Sequence, residues 1–293
     1  MKFPSIPHGT SPATIAAIIE AVEILTGRRR NTTIDYGNIG GQAAPEFGIY
    51  DLALLVDAIG AKHYEHARLG YLERPVFTFV DTDTITVGPG VYHHMGTTDQ
   101  FVHWDSTLTF HATLSGTQFD YLYLDDSEIA KRGLSSVTAK ELVLSTVAPT
   151  YVARRHGWYN GLDRCIGAFR VTSDAFAGFY HDGGNFLQYA TPLIDRGSSD
   201  IDAAATVALS VPSMASRVVV TFELAANGNY LLNAGPDANG LAGVGYGVAS
   251  VAQRFRVETL ISTAGEIYVT LSDYTGTNTL NIRTNGWFFP AGM

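Results

Sequence analysis

The segment TLTFHATLSGTQFDYLYLD, residues 107–125, decides the fold class of this chain. In its two parts, TLTFHATLSG and QFDYLYLD, apolar and polar residues alternate with a period of two. Successive side chains of a β-strand point to opposite faces, so this period is typical of strands that bury one face. The segment therefore predicts consecutive strands of an antiparallel sheet.

Similar runs extend in both directions along the chain, from VFTFVDTDTITVG (76–88) to RFRVETLISTAGEIYVTLSD (254–273). They recur about every eight to fourteen residues with turn residues between them, which is typical of sandwiches and open barrels. The composition shifts to small and acidic residues at 192–206. We therefore expect a mainly β chain with two antiparallel β-sandwich-like domains, at 75–196 and 197–293. Hairpin-like turns are expected at 183–184, 227–229 and 264–266.

The N-terminal region has a different pattern. Ser11 suits a helix N-cap, Pro12 the first helical position and Gly27 the helix end. Residues 1–30 are therefore predicted to form a short helical docking segment, followed by a linker at 31–74 that holds a short helix at 50–59. The docking helix carries an apolar stripe at three- and four-residue spacing. We interpret this stripe as an assembly surface; its residues are Ile15, Ile18, Ile19, Val22 and Leu25.

Composition excludes several classes of protein. The chain has 293 residues, of which 46% are hydrophobic and 16% charged, with a formal net charge of −9. A broad basic face for nucleic acid is therefore not expected. No apolar run approaches the ~18 residues of a membrane span, and the first residues do not resemble a signal peptide, so we expect no membrane insertion. The single cysteine, Cys165, is predicted to be a small core residue.

Catalytic and metal-binding motifs are not found in the sequence. It lacks the nucleophile elbow, the P-loop, the dinucleotide glycine fingerprint and the zinc-protease motif. His93 and His94 are adjacent and would point to opposite faces of a strand, so they are not expected to share a metal. Asp125, Asp126 and Glu128 are interpreted as solvated turn acids. We expect no catalytic residue, no metal, no cofactor and no enzymatic activity.

Aromatic residues lie beside Asn, Asp and His in three runs: QFVHWDS (100–106), HGWYNGLDR (156–164) and FYHDGGNF (179–186). Sugars are bound by apolar ring faces together with flat polar groups, so these runs have suitable chemistry. Core packing is the other interpretation, and the sequence leaves both open. The candidate glycan contacts are Trp104, Trp158, Tyr159, Tyr180, His181 and Asp182.

The run APTYVARRHGWYNGLDRCIGAF (148–169), followed by FYHDGGNFLQYA (179–190), resembles a segment of fibre and spike proteins of tailed bacteriophages and phage-derived gene transfer agents. The matching motifs are a GWY, an RCI and an aromatic hairpin with a Phe, a His-Asp pair and two glycines. The similarity covers about residues 115–195. In addition, EAVEILTGRR (20–29) looks like the first helix of virion proteins that dock on the particle.

This resemblance implies a structural virion appendage, a fibre or head-spike subunit that joins the particle by its N-terminus and contacts host surface polysaccharide. It also implies a homo-oligomer, either trimer or pentamer, with other virion structural proteins as partners. The location would be the virion, assembled in the host cytoplasm. A polysaccharide depolymerase, a neck or capsid-decoration protein without a receptor role, and a stand-alone bacterial surface domain remain alternatives.

Overall fold

The computed structural model describes residues 70–132, 135–199, 204–247, 252–272 and 278–293. These residues belong to one compact unit, 66–293, which is mainly β and built from several antiparallel sheets. The predicted docking helix at 1–30, with its apolar stripe, and the predicted linker helix at 50–59 lie outside the described residues.

The first half of the unit contains three antiparallel sheets. Its strands are β1 (Tyr71–Glu73), β2 (Phe77–Phe79), β3 (Thr84–Val87), β4 (Gly90–Met95), β5 (Asp99–Trp104), β6 (Leu108–His111), β7 (Phe119–Leu124), β8 (Leu142–Ser145), β9 (Thr150–Val152), β10 (Gly157–Asn160), β11 (Asp163–Thr172) and β12 (Ala175–Phe176). The sheet orders are β1-β4-β5, β2-β3-β6 and β8-β7-β11-β10-β9, with β12 paired to β11. A short helix, α1 (Asp126–Arg132), follows β7, and 3-10 turns occupy Ala139–Glu141 and Ala153–Arg155.

The second half forms a two-sheet sandwich. Its strands are β13 (Phe179–His181), β14 (Phe186–Ser199), β15 (Ala204–Ala208), β16 (Arg217–Ala226), β17 (Tyr230–Gly235), β18 (Ala242–Gly247), β19 (Gln253–Leu260), β20 (Glu266–Ser272) and β21 (Asn278–Phe288). One sheet has the order β13-β14-β21-β16-β19, and the other has the order β15-β20-β17-β18. Buried and less buried residues alternate along β16 and β20, as the period of two requires. Their inner side chains, such as Phe222 and Val269, join one hydrophobic core.

The boundary predicted between residues 196 and 197 is corrected by the structure. It falls inside β14, which pairs with β21 near the end of the chain. The register of this pair shifts between Gln188 and Leu193 and twice more before Ser199. Bulges of this kind bend a strand and leave residues unpaired, so small and polar residues are tolerated there. As far as Ser199, the segment with the composition shift is therefore an irregular strand.

The turns at 227–229 and 264–266 are also not hairpins. The strands on either side of each turn belong to different sheets, because β16 and β19 lie in one layer and β17 and β20 in the other. Each turn therefore carries the chain across the sandwich. The hairpin predicted at Gly183 and Gly184 is confirmed, since β13 and β14 pair with Tyr180 opposite Gln188.

A buried arginine connects separate parts of the unit. Arg164 on β11 is fully buried. Its Nη1 donates to the His93 carbonyl at 2.9 Å and to the Tyr159 hydroxyl at 3.0 Å, and its Nη2 donates to the Gly292 carbonyl at 2.9 Å. A Cβ added at Gly157 would lie 2.6 Å from the guanidinium. The glycine of the GWY motif therefore provides the space that the arginine occupies.

Replacing Arg164 with Leu should lower the free energy of unfolding by at least about 2 kcal/mol, because several buried acceptors would lose their donor. Urea denaturation measures this loss. Arg154→Leu is the matched control, since Arg154 is exposed, and it should change stability by less than about 0.5 kcal/mol. Equal effects of the two substitutions would show that the buried guanidinium does not stabilise the fold.

Candidate functional site

A groove lies where β2, the edge strand of one sheet, meets β13, the edge strand of another. We call it the β2–β13 groove. Its volume is about 500 Å³, within the usual range of ligand pockets. The residues that line it are Phe77, Thr78, Phe79, Phe179, Tyr180, His181, Asp182, Phe186, Gln188 and Ala190.

The lining combines aromatic rings with a few polar groups. The rings of Phe79 and Phe179 meet edge to face at 6.1 Å, and Phe179 is buried. Tyr180 has 66% of its surface exposed, an unusual position for so large an apolar ring. Asp182 and Thr78 are also exposed and supply polar atoms. An open aromatic surface with polar neighbours can hold a ring-shaped, partly polar ligand.

His181 is a structural part of the groove wall. Its Nδ1 accepts from the Phe77 backbone N–H at 3.0 Å, and its Nε2 lies 3.1 Å from the Gly184 carbonyl. These two contacts require a neutral ring with the proton on Nε2, which donates to Gly184. Burial, assisted by the charge of Arg74, lowers the pKa of His181. The ring therefore joins β2 to the β13–β14 hairpin.

The tip of the β13–β14 hairpin is fixed by several polar contacts. The Asp182 carboxylate accepts from the Gly184 N–H at 2.9 Å, and Gly183 has a φ of 89°, which favours glycine. Arg74 donates to the Gly184 carbonyl at 2.9 Å and to the Met293 carbonyl at 2.7 Å. The groove wall is consequently held in place before any ligand arrives.

The structure brings three of the six candidate contacts together in the groove: Tyr180, His181 and Asp182. Trp158 lies outside the groove lining and is half-buried. Its Nε1 donates to the Ala291 carbonyl at 2.9 Å, and its ring centroid is 5.6 Å from that of Tyr151. Trp158 therefore contributes to packing and leaves part of its ring accessible.

Trp104 and Tyr159 are corrected, because both are core residues with at most 2% of their surface exposed. The Trp104 ring stacks on Tyr92, and its Nε1 donates to the Gly88 carbonyl. The Tyr159 hydroxyl accepts from Arg164 at 3.0 Å. Neither side chain presents a ring face to a ligand. Strand alternation buries Trp104 and Tyr159, and the short runs in which they occur do not reveal which face is covered.

The paired histidines point to opposite faces of β4, as predicted. The Nε2 of His93 contacts the Asp99 carboxylate at 2.5 Å on the surface. His94 is fully buried, and its Nε2 lies 2.9 Å from the Asp126 carboxylate. Burial opposes ionisation of Asp126, but hydrogen bonds from Thr97 and His94 outweigh it and hold the pKa of Asp126 below its usual range.

The interpretation of Asp126 as a solvated turn acid is therefore wrong. Its carboxylate accepts from the Thr97 N–H at 2.7 Å and from the Thr97 hydroxyl at 2.6 Å. Asp125, by contrast, is a surface helix cap that accepts from the Ser127 N–H at 2.8 Å.

Cys165 is buried, as predicted, and burial raises the pKa of its thiol.

Sequence reasoning missed the groove residues that come from other strands. Phe186 and Gln188 stand on the same face of β14 as each other, opposite the buried Leu187. The alternation in FLQYA indicates that Phe186 and Gln188 share a strand face, but nothing in the sequence indicates that β2 lies beside β13. Phe79 joins the groove only through that tertiary contact.

Metal-binding clusters and membrane-spanning helices are both absent from residues 70–132, 135–199, 204–247, 252–272 and 278–293. No group of three or more His, Cys, Asp or Glu residues in those ranges could hold a metal ion. No helix within the same ranges is both long enough and apolar enough to cross a membrane.

Comparisons with known proteins found no matching family model and no matching curated protein. Among solved structures, a Bacillus thuringiensis Cry1Da tryptic core variant is similar at 11% identity and a TM-score of 0.23, over 76% of this chain and 54% of that chain. The chain thus spans about half of that protein's length. The infectious bursal disease virus Gx strain structure is similar at 12% identity and a TM-score of 0.21, over 76% and 74%. Likenesses this weak support no function for this chain.

The buried His94 should make the unit sensitive to acid. Burial lowers the pKa of His94, and its Nδ1 has no hydrogen-bond partner among the described residues. Below pH about 6.5 the unfolded chain binds a proton at this histidine that the folded chain resists, so stability should fall as the pH falls. The lowered pKa of Asp126 acts in the same direction at lower pH. Urea unfolding between pH 8 and pH 5 measures the effect.

The slope should approach about 1.4 kcal/mol per pH unit for each proton involved. His94→Gln should reduce this slope, because Gln can still donate to Asp126 but does not titrate. His93→Gln, at the partly exposed neighbouring position on the other face of β4, is the control for the loss of an imidazole from this strand. A slope that His94→Gln leaves intact would exclude His94 as its source; His181 would then be the next histidine to test.

Proposed function

We propose that this protein is a structural virion appendage, a fibre or head-spike subunit of a phage or gene transfer agent, and that its β body contacts host surface polysaccharide through the β2–β13 groove. The observation that carries the proposal is the exposed Tyr180 beside His181 and Asp182 in that groove. These residues belong to the hairpin segment whose sequence resembles phage fibre and spike proteins.

The chemistry of the groove suits a sugar chain. A pyranose ring has an apolar C–H face that packs on an aromatic ring, and hydroxyl groups at its edge that need donors and acceptors. Tyr180 and Phe186 offer ring surface, and Gln188, Thr78 and Asp182 offer polar atoms close by. The hairpin contacts described above keep these groups in position, so a ligand does not have to order them.

The assembly part of the proposal rests on the N-terminal sequence. The stripe formed by Ile15, Ile18, Ile19, Val22 and Leu25 is apolar and periodic. A helix of about fifteen residues is marginal alone in water, so such a stripe requires a partner surface. Attachment to the particle, in a trimer or a pentamer, would supply one.

Tyr180→Ala should weaken binding of host cells or of purified host capsule about five- to tenfold, because it removes the exposed ring face. Tyr246→Ala is the matched control, since Tyr246 is 59% exposed on β18 and does not line the groove. Glycan binding by calorimetry and the melting temperature of each variant are measured together. Both variants should melt within a few degrees of the parent chain.

Equal binding by the Tyr180 and Tyr246 variants would contradict a glycan site in the groove. If the capsule is shortened during incubation, with new reducing ends that increase with time, the protein is a depolymerase and the non-enzymatic role is wrong. If labelled antibody finds the chain on intact particles but no variant and no parent chain binds host glycan, a decoration role replaces the receptor role.

Ile18→Asp should prevent incorporation into particles, because a buried carboxylate in the apolar stripe opposes docking. Ala17→Asp is the matched control, since residue 17 falls on the opposite side of the predicted helix. Immunoblots of purified particles measure incorporation, and circular dichroism of the free protein checks that the β body is folded. Normal incorporation of the Ile18 variant would contradict an assembly role for the stripe.

A further inference from the structure

The outer face of the five-stranded sheet β13-β14-β21-β16-β19 concentrates positive charge. The sequence after residue 197 contains four arginines, and all of them stand on this face of three adjacent strands. The chain as a whole has a formal net charge of −9, so the concentration is local. The four residues are Arg217 on β16, Arg254 and Arg256 on β19, and Arg283 on β21.

Strand register places three of these arginines close together. Arg256 stands opposite Thr221, and Thr221 stands opposite Arg283 on its other side. Arg256 and Arg283 are therefore two strand spacings apart, or about 10 Å. Arg254 lies on the same face as Arg256, about 7 Å along the strand. We call Arg254, Arg256 and Arg283 the arginine cluster.

Two carboxylates share this face with the four arginines: Glu258 pairs with Arg217 at 2.7 Å, which leaves Glu223 for the three arginines of the cluster. Glu223 lies 3.1 Å from Arg254 and 3.7 Å from Arg283, so two guanidinium groups share one carboxylate. Arg256 contacts the Gln188 side-chain oxygen at 3.4 Å, and no carboxylate in the described ranges lies within ion-pair distance of it. The surplus charge therefore favours an anionic ligand.

The arginine cluster adjoins the β2–β13 groove. Gln188, which Arg256 contacts, lines the groove and stands directly opposite Tyr180. An aromatic path also leads from the groove across the face, because the rings of Phe186 and Phe288 lie 4.8 Å apart. Ring surfaces and guanidinium groups thus form one continuous outer surface.

We propose that this outer surface binds an acidic polysaccharide, with sugar rings in the β2–β13 groove and sugar carboxylates on Arg256 and Arg283. The inference rests on the proposed glycan-binding function and adds the chemical class of the glycan. Planar guanidinium groups match carboxylates in geometry as well as in charge. Thr221, which stands between Arg256 and Arg283, is buried and donates its hydroxyl to Asn285 at 2.6 Å, so it does not compete for the ligand.

A polyuronate fits this surface better than a nucleic acid does. Nucleic acid carries a dense row of phosphates, and binding it requires a broad basic face. Here the arginine cluster supplies three cations in a chain of net charge −9. A polyuronate has one carboxylate per sugar and an apolar face on each ring, which matches a few arginines next to an aromatic groove.

The test compares polygalacturonate with neutral dextran, using the full chain and calorimetry at low and physiological salt. The double variant Arg256→Gln/Arg283→Gln should weaken polygalacturonate binding about tenfold at low salt, and added salt should reduce the difference. Arg154→Gln is the control, because it removes one charge from an exposed residue away from this face. It should leave binding within about twofold.

The outcomes separate the proposed glycan-binding function from the proposed acidic class of the glycan. Arginine-dependent binding of polygalacturonate together with loss on Tyr180→Ala supports both the site and the glycan class. If dextran or host capsule binds through Tyr180 and the arginine substitutions do not change this binding, the ligand is not an acidic polysaccharide. The proposed glycan-binding function is then retained. If a single-stranded oligonucleotide binds through the arginines and polygalacturonate does not bind, both the glycan-binding function and the acidic polysaccharide ligand are contradicted. Melting temperatures of the exposed variants exclude unfolding as the cause.

Discussion

The guanidinium of Arg164 is the constraint on which the arrangement of this unit depends. A fully buried cation is costly unless it is hydrogen-bonded, and here backbone carbonyls and a tyrosine hydroxyl from distant parts of the chain accept from both of its Nη atoms. The neighbouring segments must fit around it, and glycine at 157 leaves the room. Arg164 donates to the Gly292 carbonyl, and Arg74 donates to the carbonyl of the following residue, Met293. The same network therefore reaches the hairpin that forms the groove.

This network explains why a groove between two edge strands stays open. Edge strands normally invite pairing, and β2 and β13 could have joined their sheets directly. Instead the His181 ring on β13 accepts from the Phe77 N–H on β2, and Arg74 donates to the Gly184 carbonyl at the hairpin tip. The aromatic side chains between the strands then line a depression instead of closing it. Side-chain hydrogen bonds have replaced a strand ladder at this one place.

The alternation of apolar residues predicted the β class, because a period of two follows from local backbone geometry. The two glycines at 183–184 predicted the β13–β14 hairpin, and the apolar run around Cys165 predicted its burial. The alternation did not predict the sandwich boundary or the crossing turns, which depend on which strands pair over long distances. Half of the candidate contacts lie in the groove because Tyr180, His181 and Asp182 share a hairpin. The prediction was wrong for Trp104 and Tyr159, because tertiary contacts decide which face of a strand is buried, and the local sequence does not contain this information.

The β2–β13 groove offers one exposed tyrosine ring to a sugar, so the affinity of a single site is limited. The proposed role in host contact therefore requires many sites acting together. A symmetric appendage supplies them, because each subunit repeats the groove and a polysaccharide repeats its sugar. Under this proposal, weak arginine and ring contacts at each site would allow rapid exchange, while the sum over subunits would give lasting attachment. The apolar N-terminal stripe and the β2–β13 groove would then serve one function, the first by setting the number of copies and the second by giving each copy its contact.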